Sequence, residues 1–418
     1  MFEENIFEKA LHITNPWYIK EVKFDEQSKR LDIYVDFHKG AEFFYESLEE
    51  GISGNYKAYD TEEKVWRHLN FFEHECYIHA RTPRVKISGK EKDNIRLVSP
   101  PWTGKCPGFT LLFEALVLQL AKAMPVHTLC SIIKESDYKI WNILEKYIEE
   151  SRVKLDFSKL RFIGLDETSK KKGHDYITLF VDLEQKRTIF ITEGKDSSTI
   201  NSFKKDLIEH KGKAENITKV SCDMSPAFIK GVKKELPNAK ITFDKFHIMK
   251  IINRAVDEVR KLEVKSNPIL KKSKYVFLKN EKNLKSLEKG KLSQIQLSKQ
   301  NLKTIRAYNL RVSFQQIYAA IDEKEFEILL KKWYFWATHS KIDSIKKVAK
   351  TIKNHWEGIL AWKKSQINNG ILEGLNSLIQ AAKSKARGFK TFKKFKIVAY
   401  LITGKFDFTK INKYYLPT

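Results

Sequence analysis

The stretch KLRFIGLDET, residues 159–168, opens the run whose pattern decides the fold. It reads as a buried strand ending in polar residues, and YITLFVDLEQ (176–185) and RTIFITEGK (187–195) read as the next two strands. SSTINSFKKDLIEH (197–210) begins on Ser/Thr caps and continues as a helix. ITKVSCDMS (217–225) is a further strand, PAFIKGVKKELP (226–237) a helix opening with Pro, and AKITFDKFHI (239–248) another strand. The order over residues 159–250 is β-β-β-α-β-α-β, which is the layout of a ribonuclease H-like core. The expected fold class is therefore α/β. Such a layout does not fix a chemistry, which has to be argued from the site.

Outward from this core the pattern changes. Residues 1–100 read as a module of strands and turns, with LDIYVDF (31–37) and YIHARTPRVKI (77–87) alternating apolar and polar residues as half-exposed strands do. The Pro/Gly-rich joint SPPWTGKCPGFT (99–110) follows. Over 109–150 the runs FEALVLQLAKAM, VHTLCSIIKES and DYKIWNILEKYIEE read as helices, broken at Met124–Pro125. Short helices joined by a tight turn fit a helix-turn-helix, with an ordinary helical hairpin packed on a core as the plainer alternative. Residues 251–365 are Lys-rich with helical periodicity and no strand pattern, which predicts an all-helical insertion. The segment 366–418 reads as helix, basic turn and helix.

The composition restricts the function classes. At 42% hydrophobic and 12% aromatic content, the 418 residues can bury ordinary globular cores. A net charge of +25 attracts polyanions, nucleic acid first and an anionic membrane face second. That charge is uneven. Residues 1–60 hold 13 acids and 7 bases, whereas 261–310 hold 13 bases and 3 acids and 361–400 hold 9 bases and 1 acid. Polyanion contact is thus expected in the C-terminal half. No run of about 18 apolar residues predicts a spanning helix, and the acidic start MFEENIFEKALHI lacks the features of a secretory signal. Cysteines 76, 106, 130 and 222 form no CxxC pair, as expected of a chain kept in a reducing cytoplasm.

Three acids stand where phosphodiester chemistry would need them. Cleaving and rejoining a phosphodiester requires an activated hydroxyl and a stabilised leaving oxygen, and two Mg²⁺ ions roughly 3.5–4 Å apart supply both. Mg²⁺ prefers oxygen and needs only a few carboxylates, so the signature is acids distant in sequence that meet at a sheet edge. Asp166 follows the apolar residues of FIGLDETS, and Asp223 stands in KVSCDMSPAF where a strand gives way to a helix. A carboxylate in the first place is costly unless paired or metal-bound, and the second is a carboxyl end of a strand, where ligand sites collect. Each has a plain alternative as a strand-ending or helix-capping Asp. Glu373 in NNGILEGLNS starts a helix, where it would also complement the helix dipole. Lys383, Lys385, Arg387 and Lys390 follow it and would hold DNA phosphates or form a solvated face. Asp244 and His247, in FDKFH, follow the last core strand. They are accessory candidates, with a helix cap and a core histidine as alternatives.

The same residues carry a family resemblance. WRHLNFFEHECYIHARTPRV, FTLLFEALVLQLAKAMPV, FIGLDETS, the block from SCDMSPAFIKG through FDKFHIMKIINRAVDEVRK, and NNGILEGLNSLIQAAKSKARGFKTFKKFK resemble the ISL-three family of bacterial insertion-sequence transposases over essentially the whole chain. The resemblance implies a ribonuclease H-like DDE enzyme with a helical insertion before the Glu and N-terminal DNA-binding modules. Its triad falls on Asp166, Asp223 and Glu373. It also implies recognition of terminal inverted repeats, Mg²⁺-dependent nicking, with Mn²⁺ as a substitute, and strand transfer into target DNA. Synapsis of paired ends implies a homo-oligomer on DNA, and the expected place is the bacterial cytoplasm, at the nucleoid. The family's opening zinc-ribbon-like module uses CxxC pairs that this chain lacks. His68, His74, Cys76 and His79 do not have the spacing of a structural zinc site, so a degenerate module without zinc is expected. The competing readings are a non-catalytic DNA-binding regulator derived from a transposase and a nuclease that cuts without joining.

Overall fold

The computed structural model describes residues 2–47, 49, 51–87, 94–169, 176–298, 301–365 and 370–415. The chain divides into two compact units, Met1–Leu155 with Ile379–Thr418, and Asp156–Leu378. Segments 1–100 and 109–150, read separately in the sequence, thus fall in one unit, and segment 366–418 is shared between both.

In the first unit, strands β1 (Trp17–Asp25), β2 (Arg30–Phe37), β3 (Glu42–Ser47), β4 (Ile52–Arg67), β5 (Glu75–Lys86) and β6 (Ile95–Leu97) form a mixed sheet. Their order is β1-β2-β5-β4-β3, with β6 added to β5. The one parallel pair among these strands, β2 with β5, sets Leu31, Ile33 and Val35 opposite Cys76, Ile78 and Ala80. All six side chains are buried, and Trp17, Trp66 and Trp102 join the same core. Period-two alternation therefore decides which face is dry. A helix, α1 (Phe2–Ala10), precedes the sheet and was missed in the sequence because it is too short to establish a helical period.

Helices α2 (Leu111–Ala123), α3 (Val126–Ile133) and α4 (Asp137–Val153) follow in the same unit. Thr110 caps α2 by accepting from the Phe113 amide, and Ser136 caps α4 by accepting from that of Lys139. Pro125 stands between α2 and α3, at the N-cap of α3, where its missing N–H costs nothing. Glu114 of α2 is fully buried and accepts hydrogen bonds from the Lys105 and Cys106 amides and the Tyr147 hydroxyl at 2.7–2.8 Å. Asn412 in turn donates to Tyr147 at 2.8 Å, tying the end of the chain to α4. Of the four residues weighed for zinc, His68 Nδ1 lies 2.9 Å from Thr110 Oγ1 and His79 Nε2 lies 2.5 Å from Asp32 Oδ1. Cys76 sits inside the sheet core, and the His74 ring packs on Phe24.

The second unit carries strands β7 (Phe162–Ser169), β8 (Tyr176–Asp182), β9 (Arg187–Glu193), β10 (Lys219–Cys222) and β11 (Lys240–Phe243), in the sheet order β11-β10-β7-β8-β9. β7, β8 and β9 are antiparallel neighbours, while β10 runs parallel to both β7 and β11. The connecting helices are α5 (Ser198–Glu209) and α6 (Pro226–Glu235), so the element order is the one read from the sequence. Phe180 of β8 stacks on Phe203 of α5 with ring centroids 4.5 Å apart.

From β11 the chain enters α7 (Lys245–Glu263) directly, so the helical region starts at 245 and not at 251. Helices α8 (Lys274–Leu278), α9 (Ser286–Ser298), α10 (Lys303–Ile317), α11 (Glu323–Thr338), α12 (Asp343–Asn354) and α13 (Trp356–Ser365) complete it. Buried Ile248, Ile252, Ala255, Val256 and Val259 form the apolar stripe of α7. α13 returns to β11 through Gly358, where a Cβ would stand 2.3 Å from the Phe243 ring. Helix α14 (Gly370–Lys385) begins in this unit, and α15 (Phe392–Thr403) belongs to the first.

α14 reaches β7 by the same device. A Cβ on Gly164 would lie 2.7 Å from Leu372 Cδ2, so only glycine lets Leu372 close on the strand. Gly164→Val is therefore expected to cost about 1–3 kcal/mol in a denaturant titration and to displace the first turn of α14. Unchanged stability would show that Leu372 does not depend on this contact.

Candidate active site

Parallel pairing of β10 with β7 sets Ser221 opposite Gly164. Asp223 and Asp166 each lie two residues further on, so the register brings Asp223, just past the end of β10, alongside Asp166 within β7. Asp223 Oδ1 accepts from the Ser225 amide at 2.9 Å, which fixes the turn into α6. Asp166 Oδ1 accepts from the Glu167 amide at 2.9 Å, and its Oδ2 accepts from Asn376 Nδ2 at 2.8 Å. The Asn376 bond ties α14 to β7 one turn beyond the Leu372 contact.

The electrostatics follow from this crowding. Burial pushes the Asp166 carboxyl up to about 6, against the Asn376 hydrogen bond and the nearby His247, while Asp223 adds a like-charge push. Glu167 is also raised, by burial first and then by the charges of Asp223 and Asp166, with Lys195 and His247 opposing. Glu373 lies in the first turn of α14, on the solvent side, and is raised by burial and by Asp244 with His247 opposing. His247 is thus the group that senses both Asp166 and Glu373. Its Nδ1 is buried without a hydrogen-bond partner, as is Asn376 Oδ1.

Asp244 serves as the N-cap of α7, accepting from the Phe246 amide at 2.8 Å, and lines a cavity together with Glu373. The helix-cap geometry of Asp244 is thus present, and its side chain shares the cavity wall with Glu373. Lys383 and Lys385 lie in the last turn of α14, with Arg387 and Lys390 beyond it, and all four belong to the first unit. Glu167 and Asn376 are site residues that sequence reasoning did not single out. EG-x-N spacing was visible around Asn376, yet nothing local showed that its amide would reach Asp166.

The donor chemistry suits a hard divalent cation. Asp166, Asp223 and Glu373 offer only carboxylate oxygens, and the desolvated Asp166 would be relieved of its charge penalty by a cation. Among the described residues no group of three or more His, Cys, Asp or Glu is placed to hold a metal ion.

The sign of the Asp166 shift makes a stability prediction. A folded value of about 6 against an ordinary 3.8 favours the folded state fully below 3.8, and this contribution is lost as pH rises through 6. At pH 7.5 the ionised group costs on the order of 2 kcal/mol. Asp166→Asn should then raise Tm by a few degrees at pH 7.5, with the gain fading as pH falls from 6 to below 4. A lower Tm at pH 7.5 would refute the buried-charge account.

Comparison with known proteins identifies the family. A transposase family model, that of the ISL-three group, matches residues 163–399. The chain is 25% identical over 342 residues to the transposase for insertion sequence element IS1001 of Bordetella parapertussis, covering 80% of this chain and 83% of that protein. It is 26% identical over 357 residues to the transposase for insertion sequence element IS1557 of Mycobacterium tuberculosis, covering 78% and 79%. No helix among the described residues is long and apolar enough to cross a membrane. With more than half its length inside the family match, the chain belongs to the ISL-three family of insertion-sequence transposases.

Proposed function

We propose that the protein is an active DNA transposase of the DDE type, which binds the terminal inverted repeats of its element and performs metal-dependent strand cleavage and transfer. One observation carries the reading: Asp166 within β7 and Asp223 just past the end of β10 stand at matching positions of adjacent parallel strands, and the helix bearing Glu373 is tied to Asp166 through Asn376. In this account the second unit is a ribonuclease H-like core, with three antiparallel strands extended by two parallel ones and interrupted by the α7–α13 insertion before Glu373.

Asp166, Asp223 and Glu373 would hold Mg²⁺, or Mn²⁺ in its place. When bound, the metal supplies activation of the attacking hydroxyl and charge stabilisation at the leaving oxygen. The protein's own residues do the rest. Asn376 orients the Asp166 carboxylate, and His247 offsets the negative charge gathered at Asp166 and Glu373. DNA contact would come from the helix-turn-helix formed by α3 and α4, from the Lys-rich insertion, and from Lys383, Lys385, Arg387 and Lys390, so binding should weaken steeply with salt. Paired ends would be held by a homo-oligomer on nucleoid DNA in the cytoplasm.

The test is a cleavage and strand-transfer assay on a labelled duplex bearing the element's inverted repeat. Joined product should require Mg²⁺ and fall about 10³-fold or more in Asp166→Ala, Asp223→Ala and Glu373→Ala. Asn376→Ala should lose about 10–100-fold, with a weaker apparent Mg²⁺ affinity. Folded wild-type protein that binds this duplex and never cuts it would instead make the chain a DNA-binding regulator. Cutting without joining would make it a nuclease.

A further inference from the structure

We propose that the cavity beside Glu373 receives one unstacked nucleotide of the DNA strand engaged at the carboxylates. This rests on the transposase reading of the same site and names a subsite within it. The cavity measures about 750 Å³ and lies between the start of α7, the middle of α10, the end of α13 and the first turn of α14. That size falls in the roughly 300–1,000 Å³ range that encloses one small ligand. A double helix cannot enter it, whereas a single nucleotide can.

Its lining sets three cations, Lys245, Arg311 and Lys363, against two carboxylates, Asp244 and Glu373. Arg311 is 2% exposed, and no carboxylate pairs with it among the described residues. Its guanidinium is held by three neutral acceptors at 3.0 Å: Asn253 Oδ1, the Leu278 carbonyl and Asn280 Oδ1. Lys245 lies with its Nζ 4.6 Å from the Tyr318 ring centroid, and Lys363 donates to the Ala320 carbonyl. Burial draws both Arg311 and Lys245 below their ordinary values, as expected of cations with too little counter-charge. A buried cation of this kind is costly until an anion joins it. A phosphodiester supplies one.

Arg311 also fixes what the neighbouring amides present. With the Oδ1 atoms of Asn253 and Asn280 both engaged by the guanidinium, their NH₂ ends are left as donors on the wall of the cavity. Donors suit a base edge carrying carbonyl acceptors, such as thymine or guanine, better than the amino edge of adenine. Trp362 and Phe246 line the same cavity and offer aromatic surface for the base, and Trp362 is braced edge-on by Tyr318 with centroids 4.7 Å apart. A nucleotide here would have to leave the duplex stack, at a cost the cavity's contacts offset. Glu373 and Asp244 stand in the wall of this cavity, so the extruded nucleotide would lie next to the reacting strand.

The test uses strand transfer on inverted-repeat duplexes in which each nucleotide around the cleavage position is replaced, one at a time, by an abasic residue. Trp362→Ala and Gln315→Ala, which both alter the cavity lining and are each verified as folded by a melting curve, are expected to lose about tenfold on the intact duplex. An abasic residue at one position should restore both variants to within about twofold of wild type, because unstacking there no longer costs energy. A merely structural defect would not be rescued at a single position. Variants that match wild type on the intact duplex, or that are equally defective at every abasic position while wild type forms joined product, overturn the nucleotide site alone. Absence of joined product from wild type on every substrate overturns the transposase reading as well.

Discussion

The seating of α14 on β7 is the constraint on which the site depends. Leu372 closes on the bare Cα of Gly164, and one turn later Asn376 donates to Asp166. Glu373 lies between these two anchors. A helix that starts after the run α7–α13 is thereby returned to the strand that carries Asp166. Separation in sequence costs little once such anchors exist, because loop-closure entropy grows only logarithmically with length.

A second consequence is electrostatic. With α14 seated on β7, Asp166 is partly buried and crowded by Asp223 and Glu167. Such an arrangement stores unfavourable charge in the free protein, and only a cation or a proton relieves it. Sites that trade stability for chemistry commonly have this character. In the cavity beside Glu373, Arg311 is buried on neutral acceptors, with no carboxylate paired to it among the described residues.

Much of this was legible in the sequence. The strands from Phe162 to Phe243 announce themselves by short apolar runs bounded by caps and turn residues, and Asp166 and Asp223 stand out because each ends such a run. The helical insertion shows in its periodicity, although its start was set too late because Asp244 caps a helix continuous with the core. What stayed hidden is non-local. The β10–β7 register, the Asn376–Asp166 hydrogen bond and the shift of Glu167 arise from residues far apart in the chain. The return of the last 40 residues to the first unit follows from burial of Tyr400, Phe408 and Asn412, which has no short-range signature. α1 was missed for the different reason that it is too short for a periodic pattern.

The most direct measurement of the central claim is Mn²⁺ binding by electron paramagnetic resonance in the DNA-bound protein and in Asp166→Ala, Asp223→Ala and Glu373→Ala. If the three carboxylates form one metal site, affinity falls in every variant, by about tenfold or more. Glu373→Ala protein that binds Mn²⁺ as tightly and in as many sites as wild type would contradict the account, leaving α14 seated on β7 for structural reasons alone.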